Sequence, residues 1–159
     1  MKRALIVTAL GLVSLFALPA PAAADITAFL GVSPTPANHR ASGFAIGINI
    51  IVVGFEFEYS KTAEDAVTKA PALKTMMGNL MVQTPTGGVQ LYGTIGGGLF
   101  NEVLGARSET SFGMNVGGGA KIHLAGPVKL RLDYRVFTLR GDPLYSNPKR
   151  FYAGVSFSF

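Results

Sequence analysis

Charged side chains recur at every second position in two segments of this sequence, and they could form ion pairs with one another. Residues at that spacing share one face of a β-strand. The charged residues that we assign to such faces are Glu56, Glu58, Lys121, Lys129, Arg131, Asp133 and Arg135. We expect the two glutamates to pair with the arginines or lysines, because unpaired buried charges are costly. A proton or ion pathway gated by these pairs is the alternative interpretation.

Other catalytic chemistry has little support in the residue types present. The chain contains no Cys, which excludes disulfides, thiolate metal sites and Cys nucleophiles. Its two histidines, His39 and His123, are far apart in sequence, so a metal site would consist mostly of carboxylates. Two glycine runs, 96–98 and 117–119, lack the helix and lysine context of a phosphate-binding loop. We therefore predict no catalytic residue, no metal and no cofactor.

The N-terminal segment has the features of a secretory signal peptide. Lys2 and Arg3 precede an apolar stretch over residues 4–18, and small residues end at Ala24. This order of a charged start, an apolar middle and a small-residue site predicts cleavage after Ala24, with an uncleaved membrane anchor as the alternative. The prediction divides the chain into a signal peptide, residues 1–24, and one mature domain, residues 25–159.

Composition excludes several classes for the mature domain. Of the 159 residues, 48% are hydrophobic, yet no mature segment has the run of about 18 apolar residues that a spanning helix needs. Removal of residues 1–24 takes two cations away and lowers the formal net charge from +5 to +3. The remaining basic residues are scattered, so nucleic acid is not an expected partner.

Apolar and polar residues alternate in short segments of the mature chain, which is typical of β-strands. Residues 128–136 show the pattern plainly, because Val128, Leu130 and Leu132 alternate with charged residues. The pattern predicts eight strands, at residues 25–32, 42–49, 53–60, 75–83, 89–100, 112–124, 128–136 and 151–159. The boundary between the second and third strands, near residues 49–52, carries no turn signal.

The predicted connections alternate between long and short. The long ones cover residues 33–41, 61–74, 101–110 and 140–150, and the short ones cover 49–52, 85–88 and 125–127. This alternation is typical of an up-and-down barrel with long loops at its outer end and short turns at its periplasmic end. We therefore predict an all-β fold, an eight-stranded antiparallel up-and-down transmembrane β-barrel.

The direction of the alternation separates a membrane barrel from a soluble carrier. The apolar face of the third, seventh and eighth predicted strands contains no charge, and a charge at mid-bilayer would cost about 2–4 kcal/mol. Aromatic residues near strand ends suit a girdle at the membrane boundary. These are Phe44, Tyr59, Phe100, Phe151 and Phe159. A soluble periplasmic barrel for lipophilic ligands, with its apolar side chains inside, is the alternative.

The export signal, the strand pattern, the segment 128–137 and the ending Phe157-Ser158-Phe159 resemble the small eight-stranded outer-membrane barrel family, the OmpA- and OmpX-like surface proteins. The resemblance implies insertion by the barrel-assembly machinery, which would recognise the last strand. The residues carrying that signal would be Phe151, Tyr152, Val155, Phe157 and Phe159. Longer members continue into a peptidoglycan-binding domain, which is not expected in a chain that stops at Phe159.

The expected function is a structural or surface-interaction role, without catalysis, for a monomer in the outer membrane. Outer-membrane lipid and lipopolysaccharide are expected partners, with Lys149 and Arg150 placed to contact anionic head groups. A lipid A deacylase is the enzymatic alternative, although Ser156 and Ser158 have no nearby His and His123 is expected to face inward. Small-pore conduction is a further alternative. The tripeptide 140–142, Arg-Gly-Asp, is interpreted as an ordinary turn.

Overall fold

The computed structural model describes residues 22–65, 67–85 and 87–159, which form one closed antiparallel barrel. Each strand pairs with the next along the chain, and the last strand closes the barrel against the first. The strands are β1 (Ala22–Ser33), β2 (His39–Ile50), β3 (Val53–Thr62), β4 (Ala72–Gln83), β5 (Val89–Leu104), β6 (Arg107–Ala125), β7 (Val128–Leu139) and β8 (Lys149–Ser158). Within the described ranges, no helix has the length and apolar character needed to cross a membrane.

The alternation along each strand separates a polar interior from an apolar exterior. On β3, Glu56 and Glu58 are buried, whereas Phe55 is 62% exposed and Phe57 is 44% exposed. The other strands repeat this arrangement, so a belt of Ile, Leu, Val and Phe surrounds the barrel. Charged side chains thus face inward and apolar side chains face outward, which confirms the predicted transmembrane β-barrel. A soluble carrier would have the opposite arrangement, with an apolar interior.

The connections differ in length at the two ends of the barrel. One end carries the connections 34–38, 63–71, 105–106 and 140–148, and the opposite end carries 51–52, 84–88 and 126–127. The two nine-residue connections, 63–71 and 140–148, both lie at the first end, whereas 34–38 and 84–88 have five residues each. The predicted turn near residues 49–52 is a two-residue connection, in which Ile51 adopts a φ of 55°. A β-branched residue rarely adopts that left-handed conformation, which explains why the sequence shows no turn signal there.

The predicted long loop at residues 101–110 is wrong. Strands β5 and β6 continue to Leu104 and from Arg107, and a two-residue turn with Gly105 at a φ of 57° joins them. The side-chain amide of Asn101 donates to the hydroxyl of Thr110 across this hairpin, at 2.8 Å. Its polar residues therefore pair with one another as a strand extension beyond the apolar belt.

The N-terminal prediction lies mostly outside the described residues. Of the predicted signal peptide, residues 1–21 are not described, and residues 22–24 belong to β1. Ala24 exchanges two backbone hydrogen bonds with Phe159, at 2.8 and 3.0 Å. The first residue of the predicted mature chain, Asp25, therefore lies at the seam where β1 meets β8.

Interior glycines bring the strand backbones close together. A Cβ at Gly98 would overlap the backbone carbonyl oxygen of Met76 on the neighbouring strand. The outward-facing Gly93, on the same strand, has only a carbonyl oxygen at 4.0 Å from the corresponding position. Gly98 is therefore required by packing, whereas Gly93 has room for a methyl group.

We expect Gly98→Ala to lower the free energy of unfolding by about 1–3 kcal/mol, because the added methyl group must displace backbone. Gly93→Ala, the matched control on the same strand, should change it by less than about 1 kcal/mol. Urea unfolding of the refolded protein, followed by circular dichroism, measures both. Equal stability of the two variants would contradict the crowding argument.

Candidate functional site in the barrel interior

Two arginines of β7 reach across the barrel and meet the carboxylate of Glu56 on β3. Arg131 contacts both oxygens of Glu56, one of them at 3.2 Å, and Arg135 contacts it at 2.8 Å. Asp133, which lies between the arginines on β7, pairs with Arg131 at 3.2 Å and Arg135 at 3.0 Å. All four groups are buried, so these charge-assisted contacts form away from water.

A second set of charges lies closer to the long-connection end. Glu58 pairs with Arg135 at 3.0 Å and also with Arg150 of β8. The guanidinium of Arg150 lies 4.9 Å from the ring centre of Phe137 and 5.3 Å from that of Phe29. The aromatic faces thus stabilise the part of this cation that the carboxylate does not cover.

A third set lies at the short-turn end. Lys121 of β6 pairs with Asp25 of β1 at 2.5 Å. Asp25 also accepts hydrogen bonds from Asn49, at 2.8 Å, and from Ser158. These contacts join strands β1, β2, β6 and β8. Lys129 is half-buried at the rim of a 230 Å³ cavity at this end, and in the described part of the chain it forms no ion pair.

Two tyrosines complete the buried network. The hydroxyl of Tyr92 donates to Asp133 at 2.5 Å and accepts from Nε of Arg131 at 2.8 Å. The ring of Tyr152 stacks on Phe29, with the ring centres 4.0 Å apart. Both rings fill volume between the charged groups, and the hydroxyl of Tyr92 bonds to ions on either side.

An apolar layer covers the ion pairs toward the long connections. It consists of Met77, Phe100, Phe137 and Leu139, with Leu73 packed against it. Beneath it, four buried carboxylates face four buried cations, so the network is electrically neutral. The carboxylates are Asp25, Glu56, Glu58 and Asp133, and the cations are Lys121, Arg131, Arg135 and Arg150. Side chains, rather than an open aqueous passage, fill the interior.

The structure places the sequence-predicted charges inside the barrel, with some changes of partner. Glu56, Glu58, Arg131, Asp133 and Arg135 come together as one connected group. Of the expected partners, the two arginines pair with the glutamates and the two lysines do not. Lys121 pairs with Asp25 instead, and Lys129 lies at the mouth of the interior.

Sequence reasoning missed two members of the network. Asp25 begins the first predicted strand, and it alternates with the inward-facing Thr27 and Phe29, which places it in the interior. Arg150 was expected to contact lipopolysaccharide, which is wrong because its side chain is buried beside Glu58. The even positions of the last strand face inward, and extending that alternation by one residue would have found Arg150.

Another expected orientation is wrong. Phe100, expected in the outer aromatic girdle, is 1% exposed and belongs to the interior apolar layer. His123, expected to face inward, keeps the regular register of β6 opposite Lys129 and is exposed at the short-turn end. Among the predicted assembly-signal residues, Tyr152 faces inward, and the others face outward. Those others are Phe151, Val155, Phe157 and Phe159.

The remaining candidate residues form no catalytic arrangement. Ser156 hydrogen-bonds Thr27 in the interior at 2.6 Å, and Ser158 donates to Asp25. His39 is buried near the long-connection end. In residues 22–65, 67–85 and 87–159, no group of three His, Cys, Asp or Glu side chains is placed to hold a metal ion. Gly141 adopts a φ of 88°, as a turn requires, within the Arg-Gly-Asp segment.

An apolar belt around a neutral, side-chain-filled interior defines a small transmembrane β-barrel. The family described as outer membrane protein beta-barrel domain matches residues 8–159. The chain belongs to that family, which places it in the outer membrane of Gram-negative bacteria. A comparison with curated protein sequences gave no match.

Solved structures share the fold at low sequence identity. Neisserial surface protein A is 20% identical, with a TM-score of 0.64 over 87% of this chain and 96% of that chain. The N-terminal β-barrel domain of Pseudomonas aeruginosa OprF is 18% identical, with a TM-score of 0.62 over 86% and 97%. The outer membrane enzyme PagL is 9% identical, with a TM-score of 0.52 over 84% and 98%. Such identities establish a common architecture alone.

We expect Glu56→Gln to lower the free energy of unfolding by about 3–5 kcal/mol, because it leaves an uncompensated cation in the interior. The matched control is Asp142→Asn, since Asp142 pairs with Arg107 at 2.9 Å on the exposed surface and should contribute less than about 1 kcal/mol. Guanidinium unfolding of the refolded barrel measures both. Adding Arg131→Gln to Glu56→Gln should recover part of the loss, and equal effects of Glu56→Gln and Asp142→Asn would contradict the assignment.

Proposed function

We propose that this protein is a non-enzymatic, monomeric outer-membrane barrel that presents a loop surface outside the cell. In this orientation the connections 34–38, 63–71, 105–106 and 140–148 are extracellular, and the short turns are periplasmic. The observation that carries the proposal is the closed interior, in which neutral ion pairs lie beneath an apolar layer. Such an interior suits a rigid anchor for an external surface better than a passage.

Hydrogen bonds and an ion pair between different hairpins support a preformed external surface. Glu64, in the connection after β3, accepts a hydrogen bond from the backbone N–H of Gly105 at 2.9 Å. Glu102 of β5 accepts one from the backbone N–H of Leu144 at 2.7 Å. Arg107 of β6 pairs with Asp142 at 2.9 Å. These bonds join three connections to one another and favour recognition by a preformed surface.

The enzymatic alternative, lipid A deacylation, has less support. That chemistry needs an activated nucleophile with a base in hydrogen-bonding reach, both accessible to lipid. Ser156 is fully buried, and Ser158 is bonded to the carboxylate of Asp25 at the short-turn end. The fold shared with PagL does not supply those residues, since fold alone does not imply function.

Export and assembly form part of the same proposal. Cleavage after Ala24 would leave Asp25 at the start of the mature chain, on the strand that closes the barrel. The barrel-assembly machinery would recognise β8, whose outward face is apolar and aromatic. Among the described residues, closure pairs each strand with a neighbour on both sides across the apolar belt, which is consistent with a monomer.

The purified protein should produce no stepwise current in a planar lipid bilayer, because its interior is filled. A porin inserted into the same bilayer is the positive control. A shift in gel migration on boiling verifies that the tested sample is folded. Reproducible unitary steps from the folded sample would favour small-pore conduction and contradict the closed-barrel proposal.

Protein purified from outer membranes should have the intact mass of residues 25–159, because the signal peptide ends at Ala24. Mass spectrometry of the extracted protein measures this directly. A mass that includes residues 1–24 would favour the uncleaved anchor, and a soluble periplasmic fraction would contradict the membrane assignment.

A further inference from the structure

Two lysines lie opposite each other on the outer face of the barrel. Lys61 of β3 and Lys74 of β4 are direct register partners, and both side chains are exposed. Like charges at directly opposed positions destabilise a sheet. Within the described residues, neither lysine has a carboxylate in ion-pairing distance. An external anion would remove the repulsion between them.

All the charges on the outward strand faces have the same sign and lie at the same end. In the described strands, the outward-facing Lys, Arg, Asp and Glu residues are Arg40, Lys61, Lys74 and Lys149. Every one is a cation near the long-connection end, whereas the short-turn end of the outer face is apolar. This asymmetry fits a membrane whose surface is strongly anionic on one side.

The lysine pair belongs to a polar row that runs across five strands. Register pairing aligns Ser42, Lys61, Lys74, Asn101 and Thr110. Neighbouring strands are about 4.8 Å apart, so this row is roughly 19 Å wide. A row of that width, with hydroxyl and amide groups beside two ammonium groups, fits a phosphorylated saccharide better than a small glycerol-based head group.

An apolar groove lies below the lysines on the same strands. The next row toward the bilayer centre contains Phe44 and Tyr59, whose ring centres are 5.7 Å apart. Below that row, Gly78 opens a groove of about 570 Å³, lined by residues that include Phe57, Leu80 and Ile95. Gly78 follows Lys74 by four residues, about 13 Å along the strand.

We infer that this face of β3, β4 and β5 binds one phosphorylated glycolipid of the outer leaflet, of the lipid A class. Its phosphate would lie between Lys61 and Lys74, and an acyl chain would occupy the groove over Gly78. A cationic pair and an apolar groove on one strand face together match a molecule that has both an anionic head and a hydrocarbon tail. The leaflet assignment rests on the proposed orientation of the barrel, whereas the site itself does not.

The part of the inferred site that binds the phosphate is tested by native mass spectrometry of the folded protein in detergent, with added diphosphoryl lipid A. Lys61→Gln combined with Lys74→Gln should weaken binding on the order of tenfold or more, because both phosphate contacts are lost. Arg140→Gln, which removes an exposed cation in the connection after β7, is the matched control and should change binding by less than about twofold. Dephosphorylated lipid A and phosphatidylglycerol should both bind the native protein more weakly.

The part of the inferred site that binds the acyl chain is tested with Gly78→Leu, which fills the groove. A Cβ at Gly78 has only a carbonyl oxygen at 3.9 Å, so this variant should fold and yet bind lipid A at least about fivefold more weakly. Ala153→Leu, on the outer face of β8, is the control and should bind normally. A shift in gel migration on boiling verifies that each variant is folded.

Undiminished binding by the folded double-lysine variant would overturn the inference, as would an equal loss with Arg140→Gln. Equal binding of phosphatidylglycerol would also overturn it, because the site would then select only charge. Because the measurement is made on detergent-solubilised protein, none of these results depends on leaflet, conductance or loop recognition. Failure of the lipid site would therefore leave the proposed closed surface barrel standing, and conductance would leave the lipid site standing.

Discussion

Neutralisation of charge in a narrow, water-poor interior is the constraint on which the rest of this barrel depends. Arg131 contacts two carboxylates and Arg135 contacts three, and removing any member would leave its partners buried without full compensation. Such pairs contribute little net stability compared with an apolar filling, but they require a single arrangement of strands. Polar groups on β3, β7 and β8 meet only when the barrel has its correct register.

That arrangement explains the other features of the interior. The long guanidinium side chains reach across the barrel, and glycines on β5 and β6 allow the strands to curve closely around them. Tyr92 and the apolar layer above the ions fill the remaining volume. A filled, rigid cylinder then supports connections that are bonded to one another at one end. The polar interior therefore has a mechanical role in holding the external surface.

Most of the architecture could be predicted from the sequence because a period of two residues is a direct signature of strands with one apolar face. The strand count, the sense of alternation and the identity of most interior charges follow from it. Partner choice does not, because residues such as Glu58 and Arg150 lie 92 positions apart and meet only through closure. Phe100 was misplaced because an aromatic residue near a strand end suits either face. The length of the β5–β6 hairpin was missed because polar residues above a membrane resemble a loop.

The buried charges are divided unequally along the chain. Strands β1 to β4 contribute three carboxylates and no cation to the network, whereas β5 to β8 contribute its four cations and one carboxylate. Each half alone would expose a net charge to hydrocarbon, of opposite sign in the two halves. Separate insertion of either half is therefore penalised, while mutual attraction favours their joining. The buried charges are therefore neutralised only when all eight strands have joined in one closed barrel.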